Sequence, residues 1–144
     1  MKKKILSFML AICLIIPAIM FVGCGKNPPE DKKGQEYVGS YQVVSYADSE
    51  VDVTKEQYET NPSDYDEWDI SGWFEMTIKL NQNYTFEQHQ EGSTYVQNGS
   101  WSVVGQKIKI MVENEVYFEL AIVNDSTLTL APYSDNTTLT LTKM

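Results

Sequence analysis

The sequence predicts an all-β domain over residues 37–144, an eight-stranded antiparallel up-and-down β-barrel. Three observations carry this expectation. From Trp73 to the end, apolar and polar residues alternate with period two in run after run, the mark of strands with one buried face. Short turn signals separate the runs, such as Gly105-Gln106, Glu113-Asn114-Glu115, Asn124-Asp125 and Ser134-Asp135-Asn136, so strands adjacent in sequence lie antiparallel. A meander with one apolar face loses both exposed edges by closing on itself, with an open sandwich as the alternative.

The first strand is expected over residues 37–46, with Tyr41 facing inward. In the second, Phe74, Met76, Ile78 and Leu80 share one face and Glu75, Thr77 and Lys79 the other. Asn81-Gln82-Asn83 then turns the chain, and Tyr84 and Phe86 resume the inner face. Residues 99–104 supply a fourth strand through Trp101, and Ile108, Ile110 and Val112 a fifth. Phe118, Leu120 and Ile122 belong to a sixth, Leu128 and Leu130 to a seventh, and Leu139 and Leu141 to the eighth.

The segment 48–69 breaks the alternation: it holds nine acidic residues and one lysine. Thr54 reads as an N-cap with Gln57 three residues on, a capping box. A helix from Lys55 to about Thr60 then stops at Asn61-Pro62. This acidic, partly helical insertion between the first two expected strands would lie across one mouth of the barrel, a common place for recognition. Trp68 and Trp73 flank it and Tyr58 and Tyr65 lie inside it. Such aromatics stack on a ligand or sugar, or pack the insertion back onto the barrel.

Upstream, Lys2, Lys3 and Lys4 precede an almost wholly apolar run from Ile5 to Val22, followed by Gly23 and Cys24. A basic start, an apolar stretch and a small residue before the cut make residues 1–23 an export signal. Residues 24–36 are proline-containing, of mixed charge and without large apolar side chains, so a flexible tether is expected there.

The whole chain carries a net charge of −9 and no arginine. Without the three signal lysines, eight lysines face twenty acidic residues, a net of −12. Nucleic acid is excluded as a partner, because phosphate contacts require clustered basic residues. Anionic headgroups would repel such a chain as well. The two cysteines, Cys13 and Cys24, leave none for a disulfide within the barrel, so packing alone must stabilise it.

Catalysis is not expected. His89 is the only histidine, the Gly-x-Ser-x-Gly pattern is absent, and nothing in the spacing sets two carboxylates across a cleft. No catalytic residue and no cofactor are assigned. Asp48, Glu50, Asp52, Glu56 and Glu59 imitate the spacing of a calcium loop. Val53, however, stands where that loop turns on glycine, and a strand precedes it. A solvated acidic loop without metal is the expectation.

Two resemblances extend this reading. Phe21-Val22-Gly23-Cys24 resembles the bacterial lipobox, which implies that Cys24 carries a thioether-linked diacylglycerol and becomes the N-terminus. Two or three acyl chains then hold the protein stably to the bilayer. Gly39-Ser40-Tyr41 and Gly99-Ser100-Trp101 are Gly-Ser-aromatic units opening the first and fourth strands. Together with Val43-Val44, the hairpin from Leu80 to Phe86 and Ser126-Thr127-Leu128-Thr129-Leu130, they make residues 37–144 look like the lipocalin-like domains of bacterial surface lipoproteins. That resemblance implies an extracytoplasmic, membrane-tethered module binding a small apolar or amphipathic ligand. Tyr41, Phe74, Met76, Phe86, Trp101 and Phe118 would line the interior, with Trp68 and Trp73 at the mouth. The same side chains would serve a filled core. The alternative is therefore an interaction module that meets another envelope protein through the acidic insertion and the outer face.

Overall fold

The computed structural model describes residues 33–131 and 136–144. The expected signal, Cys24 and the tether as far as residue 32 lie outside these, as do Ser134 and Asp135 of the last expected turn. Among the described residues no helix is long and apolar enough to cross a membrane.

The described chain forms nine strands: β1 (Gly39–Ala47), β2 (Asp52–Thr54), β3 (Met76–Leu80), β4 (Thr85–Gln90), β5 (Val96–Val104), β6 (Lys107–Val112), β7 (Glu115–Asn124), β8 (Thr127–Leu130) and β9 (Thr138–Lys143). Every neighbouring pair is antiparallel, and β1 pairs with β9, so eight strands close into a barrel with β2 as an extra strand. β2 was not expected from the sequence. It takes over one side of β1 where β3 leaves it: Gln42 is the last partner of β3, and Ser45 pairs with Thr54 of β2. The three-residue run Asp52-Val53-Thr54 is too short for periodicity to reveal, and pairing with β1 is what makes it a strand.

The inward rows carry the core. Ile78, Leu80, Phe86, Ile108, Ile110 and Leu120 are completely or almost completely buried, and Leu128, Leu139 and Leu141 join them in one apolar cluster. Sheet closure follows, because each of these strands has only one apolar row to hide. Two inward aromatics differ from expectation. Phe74 belongs to a helical turn, Ser71–Phe74, and β3 begins only at Met76. Phe74 is nonetheless buried; it packs against Tyr58 of the insertion helix, with ring centroids 5.2 Å apart. Phe118 is half-buried rather than part of the innermost core. A bulge shifts the β6–β7 register after Ile110, which pairs with Phe118, so Tyr117 is skipped and the inward row is interrupted there.

The two ends of the barrel differ. The base is closed by the chain entering the domain. Gln35–Tyr37 forms a 3-10 turn where the end of the tether and the start of the first strand were expected, and Val38 leads into β1. Tyr41 donates its hydroxyl to Tyr37 O at 2.8 Å, Gln35 Nε2 reaches Gln82 O at 3.2 Å, and Lys143 Nζ reaches Glu36 O at 3.0 Å. Trp101 lies beneath, its indole donating to Asn81 O at 3.0 Å and its ring 5.0 Å from that of Tyr84. The second Gly-Ser-aromatic unit works by close approach: a Cβ at Gly99 would overlap Met111 O on β6. The other end, the mouth, collects the C-terminal ends of β1 and β4, the start of β3 and the segment between Ala47 and Met76.

Candidate functional site

The mouth is organised from Asp48 outward. Its Oδ1 accepts the backbone N–H groups of Glu50 and Val51, each at 2.8 Å, and its Oδ2 accepts the Tyr46 hydroxyl at 2.7 Å. These bonds, the two backbone ones first, hold the Asp48 carboxyl below the usual carboxylate range. Burial, then the bond to Asp48, pushes the Tyr46 phenol up. The turn at Asp48 leads into β2, and Thr54 caps the helix Lys55–Thr60. Its side chain accepts from Gln57 N at 3.2 Å while Gln57 Oε1 accepts from Thr54 N at 2.8 Å. Pro62 opens a 3-10 stretch, Pro62–Trp68, and Asp69 reverses the chain in the left-handed region at φ 46°.

Three buried side chains, Val53, Ile70 and Phe74, fasten this segment to the barrel. An aromatic series runs outward from Phe74 through Tyr58 and Tyr65 to Trp68, with successive centroids 5.2, 6.0 and 6.4 Å apart. Tyr58 and Tyr65 thus serve the packing role, while Trp68 and Trp73 reach the mouth opening.

There a pocket of about 590 Å³ is lined by Tyr46, Trp68, Asp69, Ser71, Gly72, Trp73, Met76, Gln88 and Gln90. Its size falls in the range of small-molecule sites, about 300–1,000 Å³. It lies where the inward row of β4 runs out of apolar residues. On β4 the row reads Phe86, Gln88, Gln90, and on β3 it starts at Met76. Gln88 Oε1 is buried without a hydrogen-bond partner among the described residues, and Gln88 Nε2 donates to Met76 Sδ at 3.2 Å. Gln90 Nε2 bonds Gly72 O at 2.9 Å and Glu75 Oε2 at 3.2 Å, tying β4 to the helical turn.

Of the residues expected to meet a ligand, Met76, Trp68 and Trp73 come together here. Tyr41 and Trp101 sit at the base, and Phe86 lies deep in the core with Phe118 edge-on against it at 5.6 Å. Phe74 lies under the insertion. Six lining residues were not among those expected to meet a small molecule: Tyr46, Asp69, Ser71, Gly72, Gln88 and Gln90. Gln88 and Gln90 were within reach of it, since period two from Phe86 leads to both. Tyr46 was hidden by the bulge between Val43 and Ser45 against β9, which moves the inward row from odd to even positions.

The calcium-loop spacing does not become a calcium-loop geometry. Asp52 lies on a strand and Glu56 and Glu59 on a helix. Asp48 is occupied by backbone and phenol donors, Glu50 accepts from Trp68 Nε1 at 3.4 Å, and Glu59 pairs with Lys55 at 3.6 Å. Among the described residues no group of three or more His, Cys, Asp or Glu side chains is placed to hold a metal ion. His89 faces the outside beside Glu87, 3.1 Å away.

No family model matches the chain, and no curated protein matches it. Among solved structures, it is similar to a DUF4847 family protein from Bacteroides vulgatus, with a TM-score of 0.49 at 14% identity over 74% of this chain and 92% of that one. It is also similar to an uncharacterized protein from Bacteroides eggerthii, with a TM-score of 0.48 at 11% identity over 75% of this chain and 99% of that one.

Proposed function

We propose that this chain is an exported binding module. In this reading a lipocalin-like barrel is tethered outside the cell membrane through acylated Cys24 and takes a small amphipathic ligand in its mouth pocket. The observation that carries the reading is the pocket of about 590 Å³ between Trp68 and Trp73. Two further features support it. The barrel interior is occupied by large side chains such as Tyr41, Phe86 and Leu120, each 0% exposed, which moves the binding space from the interior to the mouth. The chain also enters at the base, so a membrane tether attached there leaves the mouth at the far end, open to the surroundings.

Native mass spectrometry of the protein taken from its own membrane tests both parts. The expected result is a diacylglycerol adduct on Cys24 and a co-purified small molecule that is lost from Trp68→Ala. A Cys24→Ala chain should be released from the membrane. An unacylated Cys24 removes the tether. A small molecule retained equally by Trp68→Ala and Trp73→Ala removes the mouth site.

The interaction-module reading rests on a different surface. Val116, Tyr117 and Val123 of β7, on the outer face, are 52%, 49% and 59% exposed. Pull-down of an envelope protein that depends on Tyr117 but not on Trp68 would favour it.

A further inference from the structure

We infer that the mouth pocket takes an organic ammonium ion, whose N–H is donated to Gln88 Oε1 while its hydrocarbon part lies against Trp68 and Trp73. This deepens the proposed function and rests on it.

The polar lining shows what the pocket lacks. Gln88 Oε1 is a buried acceptor with no donor among the described residues. A buried oxygen in that state is destabilising until a donor arrives. The amide is held only through its nitrogen, by the thioether of Met76 at 3.2 Å. Thioether sulfur is a weak acceptor, so little is lost if the amide turns toward a ligand.

The charge around the pocket has one sign. Tyr46 donates to Asp48 at 2.7 Å, Trp68 to Glu50 at 3.4 Å and Gln90 to Glu75 at 3.2 Å, and Asp69 lines the pocket directly. Three lining residues thus give their donors outward to carboxylates. Lys55 is the one basic residue between Ala47 and Met76. It is committed to Phe74 O at 3.2 Å and to Glu59 at 3.6 Å, and it does not line the pocket.

Among the described residues, an acceptor without a donor, inside carboxylates without a cation, calls for a ligand that brings both the donor and the positive charge. An ammonium group does so. It is also attracted to the faces of indole and phenol rings, and a carboxylate on the N–H or O–H of such a ring makes that face more negative. An anion would be repelled by all four carboxylates. A neutral sugar would satisfy Gln88 and gain nothing from the charge. A bare metal ion finds no converging ligands among the described residues.

The test uses the full chain in a non-ionic detergent, with tryptophan fluorescence and calorimetry as readouts. The probes are 2-phenylethylammonium, the neutral 2-phenylethanol, the anionic phenylacetate and methyl α-glucoside. The expected result is saturable binding of the ammonium probe, about tenfold tighter than the alcohol, weakening as salt rises, with no binding of phenylacetate. Gln88→Leu should lower ammonium affinity at least about fivefold and alcohol affinity by a smaller factor, since a charge-assisted bond is about twice as strong as the neutral O–H one. Gln88→Glu should raise ammonium affinity by about as much as Gln88→Leu lowers it. Because it keeps the side-chain shape, it carries the test if Gln88→Leu fails to fold. Equal binding of the alcohol or the glucoside leaves the mouth site standing and overturns the ammonium assignment. If none of the four probes reaches the indoles at millimolar concentration, the mouth site and the ammonium assignment fall together.

Discussion

The Tyr46 hydroxyl donates to Asp48 Oδ2 at 2.7 Å, joining a buried residue of β1 to the first acidic residue of the segment that builds the mouth. The same carboxylate caps the backbone of Glu50 and Val51 through its other oxygen. One side chain therefore sets both the exit direction of β1 and the entry into β2. Tyr46→Phe removes the bonds to Asp48 and Thr137 and should cost about 1–2 kcal/mol. Asp48→Ala removes three and should cost about 2 kcal/mol or more. The Asp48 pKa is lowered by folding, so its contribution is present above the ordinary carboxylate range, about 4, and is lost as pH falls through its folded value. Urea unfolding of the wild type and Asp48→Ala at neutral and acidic pH should show the two converging only on the acid side.

Tyr41 should be among the last tyrosines to ionise. Burial first, then the nearby Tyr37 and Asp125, push its phenol up to about 12. A raised folded pKa means that the stabilisation is complete below the unfolded value of about 10 and is lost as pH rises from there toward 12. Spectrophotometric titration of the wild type against Tyr41→Phe should show the missing phenolate only at that alkaline end. The variant's stability should fall less steeply between those two values.

Gly99→Ala should destabilise the barrel by about 1–3 kcal/mol, because the new methyl overlaps Met111 O and the two backbones must move apart. Gly72→Ala is the contrast. Its added Cβ would meet Gln90 Nε2 at 3.6 Å, an ordinary contact, and it lies in the helical turn Ser71–Phe74. It should be neutral or stabilise by about 0.5–1 kcal/mol. Thermal unfolding of the pair checks both.

Thr54→Ala removes one half of a reciprocal cap and should cost about 1 kcal/mol. The loss is local to the helix Lys55–Thr60, whose Tyr58 links Phe74 to Tyr65 and so to Trp68. A red shift of tryptophan emission should accompany it. An unchanged spectrum would mean that the helix does not position the indoles.

The alternating rows of β3, β6 and β9 were plain in the chain because their burial depends on a period of two and on little else. The capping residues Thr54 and Gln57 were equally plain, since a cap is made within four residues. Both are local patterns, and local chemistry is enough to dictate them. The sequence by itself determined that eight apolar-faced strands follow one another antiparallel and that an acidic, aromatic-bearing stretch interrupts them; the pairing of β1 with β9 decided that they close.

Only the tertiary structure decided where a ligand could sit. The shift that makes Tyr46 inward arises from pairing with β9, far along the chain, and β2 exists only because β1 offers it an edge. Gln88 and Met76 meet because β3 and β4 pair in one register, with Met76 opposite Gln90. Trp68 and Trp73 converge with them because Val53, Ile70 and Phe74 bury themselves on the barrel. Periodicity tells each residue which face it occupies. Only long-range pairing and packing decide which faces share the same few ångströms of space.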